Sequence, residues 1–247
     1  MKNILVTVIT ACYNSGNFLE DAVLSVINQT YKPIQHIIID GKSSDNTLEI
    51  IKKYQNNISM WISEPDSGYA DAWNKGLRYA KGDIVGMLNA DDMYHPDTVA
   101  KIVDAYKPDL RQIYYGSTRF FKDSTSEVIN ELEGFFNPGL ICDTFGFMHT
   151  SSFVPKKIYN EIGVFDTKYK IAADTDFLFR CFVNGVAFTK GDYFTYMRIG
   201  GLSVNHMLRA RFELYSQMFK YRLNKRLILK SILRFLLNYK TLKKRLY

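Results

Sequence analysis

Short apolar runs alternate with apolar positions at three- and four-residue steps through the first hundred residues. Residues 4–10 (ILVTVIT) are continuous and β-branched, the pattern of a strand buried on both faces. Ala22, Val23, Val26 and Ile27 follow at helical steps, behind an Asn17/Glu20 pair with capping-box spacing, and Pro33 closes that unit. Residues 36–39 repeat the strand pattern and end in Asp40-Gly41. A helix with Leu48, Ile51 and Tyr54 inward follows, capped by Ser44 or Asp45. A third strand is expected over 58–62, a helix over 70–80 with Gly82 as its C-cap, and a fourth strand over 84–88. Pro96 is placed to open the next helix, which ends by Pro108.

The second half is less regular. The pattern predicts a strand over 113–121, a polar loop or short hairpin over 124–138, and a strand over 147–154. Helices are expected over 156–162 and 174–183, short strands over 186–189 and 194–198, and helix from about 204 onward. No internal repeat or low-complexity linker is present. Repeated strand–loop–helix units argue for an α/β fold, with a mostly parallel, mixed central sheet flanked by helices. Polar residues collect just after the strands: Tyr13-Asn14, Asp40, Glu64-Asp66 and Asn89–Asp92. In an open α/β sheet, that end is the ligand crevice.

Composition narrows the class. With 247 residues, 47% apolar and 23% charged, the chain is long enough for a real core and too apolar for disorder. Three cysteines without metal-binding spacing read as reduced thiols of a cytoplasmic protein. The net charge of +7 is concentrated at one end. Ten Lys or Arg and no acid lie between Lys220 and Tyr247, which leaves 22 basic against 25 acidic residues before them. A uniformly basic nucleic-acid binder is patterned differently. No run of 18 apolar residues marks a spanning helix.

Adjacent carboxylates at a strand end, Asp91-Asp92 after Asn89-Ala90, repel each other unless a cation or a helix start accommodates them. A hard divalent ion suits such oxygens; capping of the helix opening at Pro96 is the plainer reading. Asp40 fits either a ring N–H acceptor or an Asx-turn. Asp174 and Asp176 open a helix two residues apart and do not share a face, which suits separate roles, one toward the crevice as a base and one as a cap or brace; simple enrichment of acids at a helix start fits the pattern equally. There is no P-loop and no GxGxxG.

Five segments, in order and spacing, carry a resemblance: VTVITACYNSGNFLEDAVLSVINQTY (6–31), HIIIDGKSSDNTLEIIKKY (36–54), WISEPDSGYADAWNKGLRYAKGDIVGMLNADD (61–92), HTSSFVPKKIYNEIGVFDTKYKIAADTDFLFR (149–180) and RIGGLS (198–203). The chain resembles the inverting glycosyltransferases of family 2, which have the GT-A nucleotide-sugar fold, in the branch of bacterial polysaccharide clusters that includes colanic-acid-type enzymes. The resemblance implies a donor-binding part over 1–110, an acceptor part over 111–205 and an unmatched basic tail over 206–247. It implies that Asp40 reads uracil and that Thr10, Ala11 and Tyr13 surround the base. Asp71 and Asn74 then face the donor. Asn89-Ala90-Asp91 stands at the DxD position, with Asn for the first Asp, so that Asp91 holds Mn²⁺ or Mg²⁺ and Asp92 supports it. Asp174 matches the catalytic base of the ED motif, with Ala173 in place of Glu and Asp176 as rival. Arg198 is a phosphate candidate, His149 a donor or acceptor contact and His206 a further metal contact. For each histidine an ordinary hydrogen-bonded role stands beside it.

The implied reaction is inverting transfer of a hexose from a nucleoside diphosphate sugar, UDP-linked by preference, to a glycan or lipid-linked acceptor. A sugar nucleotidylyltransferase is the enzymatic alternative, although residues 6–29 lack the Lys and Arg of a triphosphate loop. A nucleic-acid binder is the alternative of another class. In the tail, Leu223, Leu227, Ile228, Ser231, Ile232, Phe235, Leu236 and Tyr239 form an apolar stripe beside Lys225, Arg226, Lys230 and Arg234, with Lys243-Lys244-Arg245 beyond. This suits a helix lying on the anionic inner face of the cell membrane. It equally suits a hairpin packed on the domain or on a second copy in a homodimer.

Overall fold

The computed structural model describes residues 4–122, 127–201 and 206–246, with side chains as far as Asn238. Four strands, β1 (Val6–Cys12), β2 (Ile34–Asp40), β3 (Met60–Ser63) and β4 (Ile84–Asn89), alternate with α1 (Leu19–Ile27), α2 (Thr47–Lys53) and α3 (Tyr69–Tyr79). They pair in parallel in the order β3-β2-β1-β4. Val6, Val8, Ile9 and Ile37–Ile39 have no exposed surface, because helices cover both faces. The strand order reverses at β1, which puts the crevice outside the carboxyl ends of β1 and β4. The capping box expected at Asn17 does not form: Phe18 is the N-cap of α1, with no side-chain bond.

The remaining elements are β5 (Met93–Tyr94), α4 (Thr98–Ala105), β6 (Gln112–Phe121), β7 (Val128–Leu132), β8 (Ser152–Pro155), α5 (Lys156–Ile162), α6 (Ala173–Val183), β9 (Ala187–Arg198), α7 (Met207–Lys220) and α8 (Lys225–Leu246). They extend one sheet in the order β3-β2-β1-β4-β8-β6-β9-β5, with β7 beside β6. This half corrects the expectation of a mostly parallel sheet. β8 runs antiparallel to both β4 and β6, β7 is antiparallel to β6, and β5 to β9; only β6 and β9 are parallel here. Among the described residues no α-helix lies between β6 and β8, only β7 and two 3₁₀ turns, and a chain returning without a helical crossover pairs antiparallel.

Two local readings also change. The strand expected over 147–154 starts at Ser152, because His149–Ser151 is a 3₁₀ turn. The two strands expected over 186–198 are one. Residues 191–193 of β9 bulge against the single residue Gly116 of β6. Gly116 is needed there, since a Cβ would lie 2.4 Å from the Tyr193 carbonyl oxygen.

The division expected near residue 205 does not coincide with a gap in packing. Met218 of α7 and Ile228 of α8 are fully buried in the same cluster as Trp73, Phe177 and Phe179. Glu213 of α7 accepts the backbone N–H of Lys170, Ile171 and Ala172 at 3.1, 2.9 and 3.0 Å, just ahead of α6. Gln217 donates to the Ala172 carbonyl at 2.8 Å. No described helix is long and apolar enough to cross a membrane.

Candidate active site

At the β1/β2 end of the crevice, several polar groups are consumed by the fold itself. Thr10 is fully buried, its Oγ1 3.0 Å from His36 Nε2 inside the sheet, rather than in the first loop. Burial, helped by Lys32, pushes His36 down to about 3. Asp40 ends β2 and is also fully buried. It accepts the Ser43 backbone N–H at 3.1 Å, the Ser43 hydroxyl, and the Ser63 hydroxyl at 2.5 Å, and so pins the turn that follows. Burial and then Asp40 push the neighbouring Cys12 thiol far up. Ala11 is half-buried beneath the loop, whereas Tyr13 is 64% exposed at the mouth. A Cβ on Gly41 would meet Asp66 Oδ2 at 2.6 Å and the Tyr13 ring at 3.3 Å, so Asp66 and Tyr13 pack closely against the Gly41 backbone, which has room for no side chain.

On α3, Asp71 accepts the Ser67 N–H at 3.0 Å. Asn74 is closed off from the donor side: its amide donates to the Phe165 carbonyl at 2.8 Å and accepts the Phe165 N–H at 3.0 Å. The sequence reading left Lys75 out. It is a cation at this end of the crevice, held by Glu64 at 2.9 Å and the Pro65 carbonyl at 2.7 Å. Its place one turn after Asp71 was the available signal.

The β4 end gathers residues from four elements. Asp92 is 1% exposed. Its Oδ2 accepts the Thr150 hydroxyl at 2.9 Å and the Asn89 amide at 3.1 Å, and its Oδ1 accepts the Arg198 backbone N–H at 3.0 Å. Burial first, then the Asp91 charge, push its pKa up to about 8. Asp91 itself is half-buried and takes part in no hydrogen bond or ion pair among the described residues. The intervening Ala90 is buried in the cluster under α1 and α2.

His149 stands between the β4 end and α6. Its Nε2 is 2.9 Å from the Asn89 amide nitrogen, which makes Nε2 the acceptor and leaves the proton on Nδ1. Nδ1 faces Asp174 Oδ2 at 3.6 Å, and the ring lies 5.3 Å from that of Trp73. Burial lowers the imidazole pKa; the Asp174 and Asp91 charges only partly offset this, so the ring is held neutral. Asp174 Oδ1 accepts the Thr175 N–H at 2.8 Å. His149, Asp174, Trp73 and Phe165 line a cavity of about 20 Å³. Asp176 is elsewhere. It is fully buried between Arg180 (2.9 Å), Lys220 (3.3 Å) and the Tyr221 hydroxyl (2.6 Å), which locks α6 to α7. Of the two rival aspartates, only Asp174 lines the cavity.

The Arg198 guanidinium lies 4.7 Å from the Phe18 ring centroid and 4.5 Å from that of Phe121, donates to the Lys122 carbonyl at 3.2 Å, and is 3.9 Å from Asp21. Its buried Nε has no partner among the described residues. His206 is exposed at the N-cap of α7; its carbonyl accepts the Ala210 N–H at 3.0 Å, and its side chain has no hydrogen bond or ion pair among the described residues. Leu202 and Ser203 of the RIGGLS segment lie outside the described residues. Thr150, Ser43 and Ser63 belong to this constellation and were not singled out from sequence, whereas Asp66 was marked only as one of the polar residues after β3. Ser63 is the last residue of β3 and stands opposite Asp40 in register, which was its one signal.

Residues 7–163 match the family model described as glycosyl transferase family 2. An uncharacterized glycosyltransferase of Mycobacterium tuberculosis is 31% identical over 183 residues, 71% of this chain and 68% of its own length. Two solved structures share the fold. S. aureus TarS in complex with UDP-GlcNAc matches with TM-score 0.65 and 16% identity, over 93% of this chain and 72% of that one. The mannosyltransferase PcManGT from Pyrobaculum calidifontis, in complex with GDP-Man and Mn²⁺, matches with TM-score 0.64 and 19% identity, over 87% and 63%. An α/β crevice of this kind, with carboxylates from β4 and α6, is that of a nucleotide-sugar-dependent transferase with a GT-A-like fold. The chain belongs to glycosyl transferase family 2, whose activity is inverting transfer of a sugar from a nucleotide-sugar donor to a glycan acceptor. That assignment sets aside the nucleotidylyltransferase reading.

Proposed function

We propose that this chain transfers a hexose from a UDP-sugar to a glycan carried on a lipid, with Asp174 as general base and Asp91 as the protein's ligand to a divalent cation. The observation that carries the reading is two carboxylates near one buried imidazole: Asp91, without a hydrogen bond or ion pair among the described residues, and Asp174, whose Oδ2 faces His149 Nδ1 at 3.6 Å. The nucleobase stacks on the exposed face of the Tyr13 ring, with the Asp66 carboxylate beside it to accept a ring N–H. Asp40 pins the adjoining turn through Ser43 and Ser63.

A divalent ion suits Asp91. Its carboxylate is a hard oxygen donor without an internal partner, beside a buried Asp92 whose oxygens are taken up by Thr150, Asn89 and the Arg198 backbone. Among the described residues no three His, Cys, Asp or Glu side chains converge to hold an ion alone. The remaining coordination would come from the donor diphosphate and water, with the Asn89 amide oxygen nearby. When bound, the ion neutralises charge on the departing diphosphate.

The chain's own residues do the rest. Asp174 Oδ2 takes the proton from the acceptor hydroxyl as that oxygen attacks the anomeric carbon from the side opposite the diphosphate. The Thr175 N–H fixes the other carboxylate oxygen, and His149 Nδ1–H orients the reacting one. Trp73 and Phe165 keep bulk water from the cavity behind it.

The test is a thermal-shift panel of nucleotide sugars with and without Mn²⁺, followed by transfer assays on Asp174→Asn and Asp176→Asn. UDP-hexoses should raise the melting temperature in an Mn²⁺-dependent way. Asp174→Asn should retain that shift and lower transfer by about 10²–10⁴-fold. Stabilisation by GDP-sugars alone, or transfer retained in Asp174→Asn and lost in Asp176→Asn assayed below its melting temperature, would overturn the respective assignments.

A further inference from the structure

The two-helix tail has two faces with different fates. Facing inward, Gln217, Met218, Ile228, Ser231 and Phe235 are buried against the domain. Facing outward on α8, Leu229, Leu233, Leu236 and Leu237 are 57%, 59%, 64% and 82% exposed. At helical spacing they occupy one arc of about 100°. α7 runs antiparallel beside α8: the Arg211 guanidinium lies 5.1 Å from the Phe235 ring centroid, and the Tyr215 hydroxyl donates to the Ser231 carbonyl at 3.3 Å. α7 adds Leu208 and Phe212, 60% and 74% exposed, one turn apart. Docking on the domain therefore explains the inner residues and leaves a second apolar surface in water, larger than scattered surface leucines account for.

The cations sort in the same way. Arg209, Lys220 and Arg234 are paired, with Glu213, Asp176 and Asp143. Lys225, Arg226 and Lys230 are exposed and form no ion pair among the described residues. On the helix, Lys225 and Lys230 border the leucine arc on its two sides and Arg226 falls within it. No acid follows Glu213 in the chain. A second copy docking through this face would bring like charges together with no carboxylate to answer them. An anionic lipid surface answers them directly, and their long stems let apolar side chains enter while the charges stay at the headgroups.

We infer that the outer face of α8, with Leu208 and Phe212 of α7, lies on an anionic bilayer while the inner face stays docked on the catalytic domain. The helices rest on the membrane and do not cross it. Through Glu213, the same α7 holds the loop before Asp174, so the membrane-facing element is also a buttress of the site.

The experiment is flotation of the full chain with vesicles of phosphatidylcholine alone or mixed with phosphatidylglycerol, at low and high salt. Two variants are compared: Leu229→Ser/Leu233→Ser/Leu236→Ser/Leu237→Ser, and Arg226→Gln/Lys230→Gln. Wild type should float with the anionic vesicles and be released by salt. The four-serine variant should lose at least about tenfold in bound fraction at an unchanged melting temperature, because those side chains are already in water. The glutamine pair should weaken binding to anionic vesicles and leave the fold untouched. If the serine variant melts lower, the glutamine pair decides. Three results would overturn the inference: no flotation at low salt, flotation indifferent to both variants, or a wild-type dimer that the serine variant turns into monomer without any vesicle binding.

Discussion

Replacing Glu213 tests whether the tail is part of the catalytic machinery. This side chain is 7% exposed and accepts three consecutive backbone N–H groups as well as Arg209 at 3.1 Å. In Glu213→Ala the Ala172 N–H, at a buried residue, loses its partner outright, while water can reach those of Lys170 and Ile171 in part. One orphaned buried donor at about 1–3 kcal/mol, and two partly rescued bonds to a charged acceptor, give about 3–4 kcal/mol in all. For a chain of this size that is a fall of about 6–16 °C in melting temperature. Glu213→Gln keeps one accepting oxygen and should lose about half as much. Burial alone would raise the Glu213 pKa, but the Ile171, Ala172 and Lys170 N–H groups together with Arg209 outweigh it and lower it below 4.5. A carboxylate depressed in the fold contributes stability above its unfolded value and loses it as pH falls through the folded one. The gap between wild type and the Gln variant should therefore narrow below about pH 4.5. Calorimetry across pH 3.5–8, paired with transfer kinetics, reads both effects; kcat should fall more than donor affinity, because the loop positions Asp174. A melting temperature for Glu213→Ala within about 2 °C of wild type at pH 7.5 would refute the reasoning.

Asp91→Ala should abolish Mn²⁺-dependent UDP binding in a thermal-shift titration while the metal-free melting temperature holds; unchanged Mn²⁺ dependence would remove Asp91 from the metal. Asp176→Asn should cost about 2–4 kcal/mol by chemical denaturation, since it leaves Lys220 and Arg180 facing a neutral group in a buried seam. His36 has a folded pKa near 3 against 6.5 when free, so the unfolded chain takes up the proton first and stability falls as pH drops below about 6.5. The loss attributable to it reaches about 2 kcal/mol at pH 5, and His36→Gln should flatten the acid limb of the stability profile.

The first four strands and the position of the crevice were legible because their signals are local: β-branched runs, helical stripes and polar residues at strand ends. Strand direction is not local, and nothing in SSFVP announces that β8 runs against β4. Thr10 and Asn74 were placed toward the ligand by the family resemblance alone. Their partners, His36 and the Phe165 backbone, lie 26 and 91 residues away and capture them first. Asp174 and Asp176 looked alike, and only the arrival of Lys220 and Tyr221 separates a cavity carboxylate from a seam carboxylate. Gly191-Asp192 read as a break between strands because a bulge and a turn use the same residues.

The Asp92 network sets an order in time as well as in space. Its partners are Asn89, Thr150 and the backbone of Arg198, 106 positions later in the chain. At ~5–20 residues per second of synthesis, Arg198 leaves the ribosome roughly 5–20 s after Asp92. Throughout that interval the N-terminal parallel strands can collapse, while the carboxylate at the end of β4 has no enclosure and remains hydrated and charged. The nascent chain thus cannot present a finished donor site until its last strand has emerged.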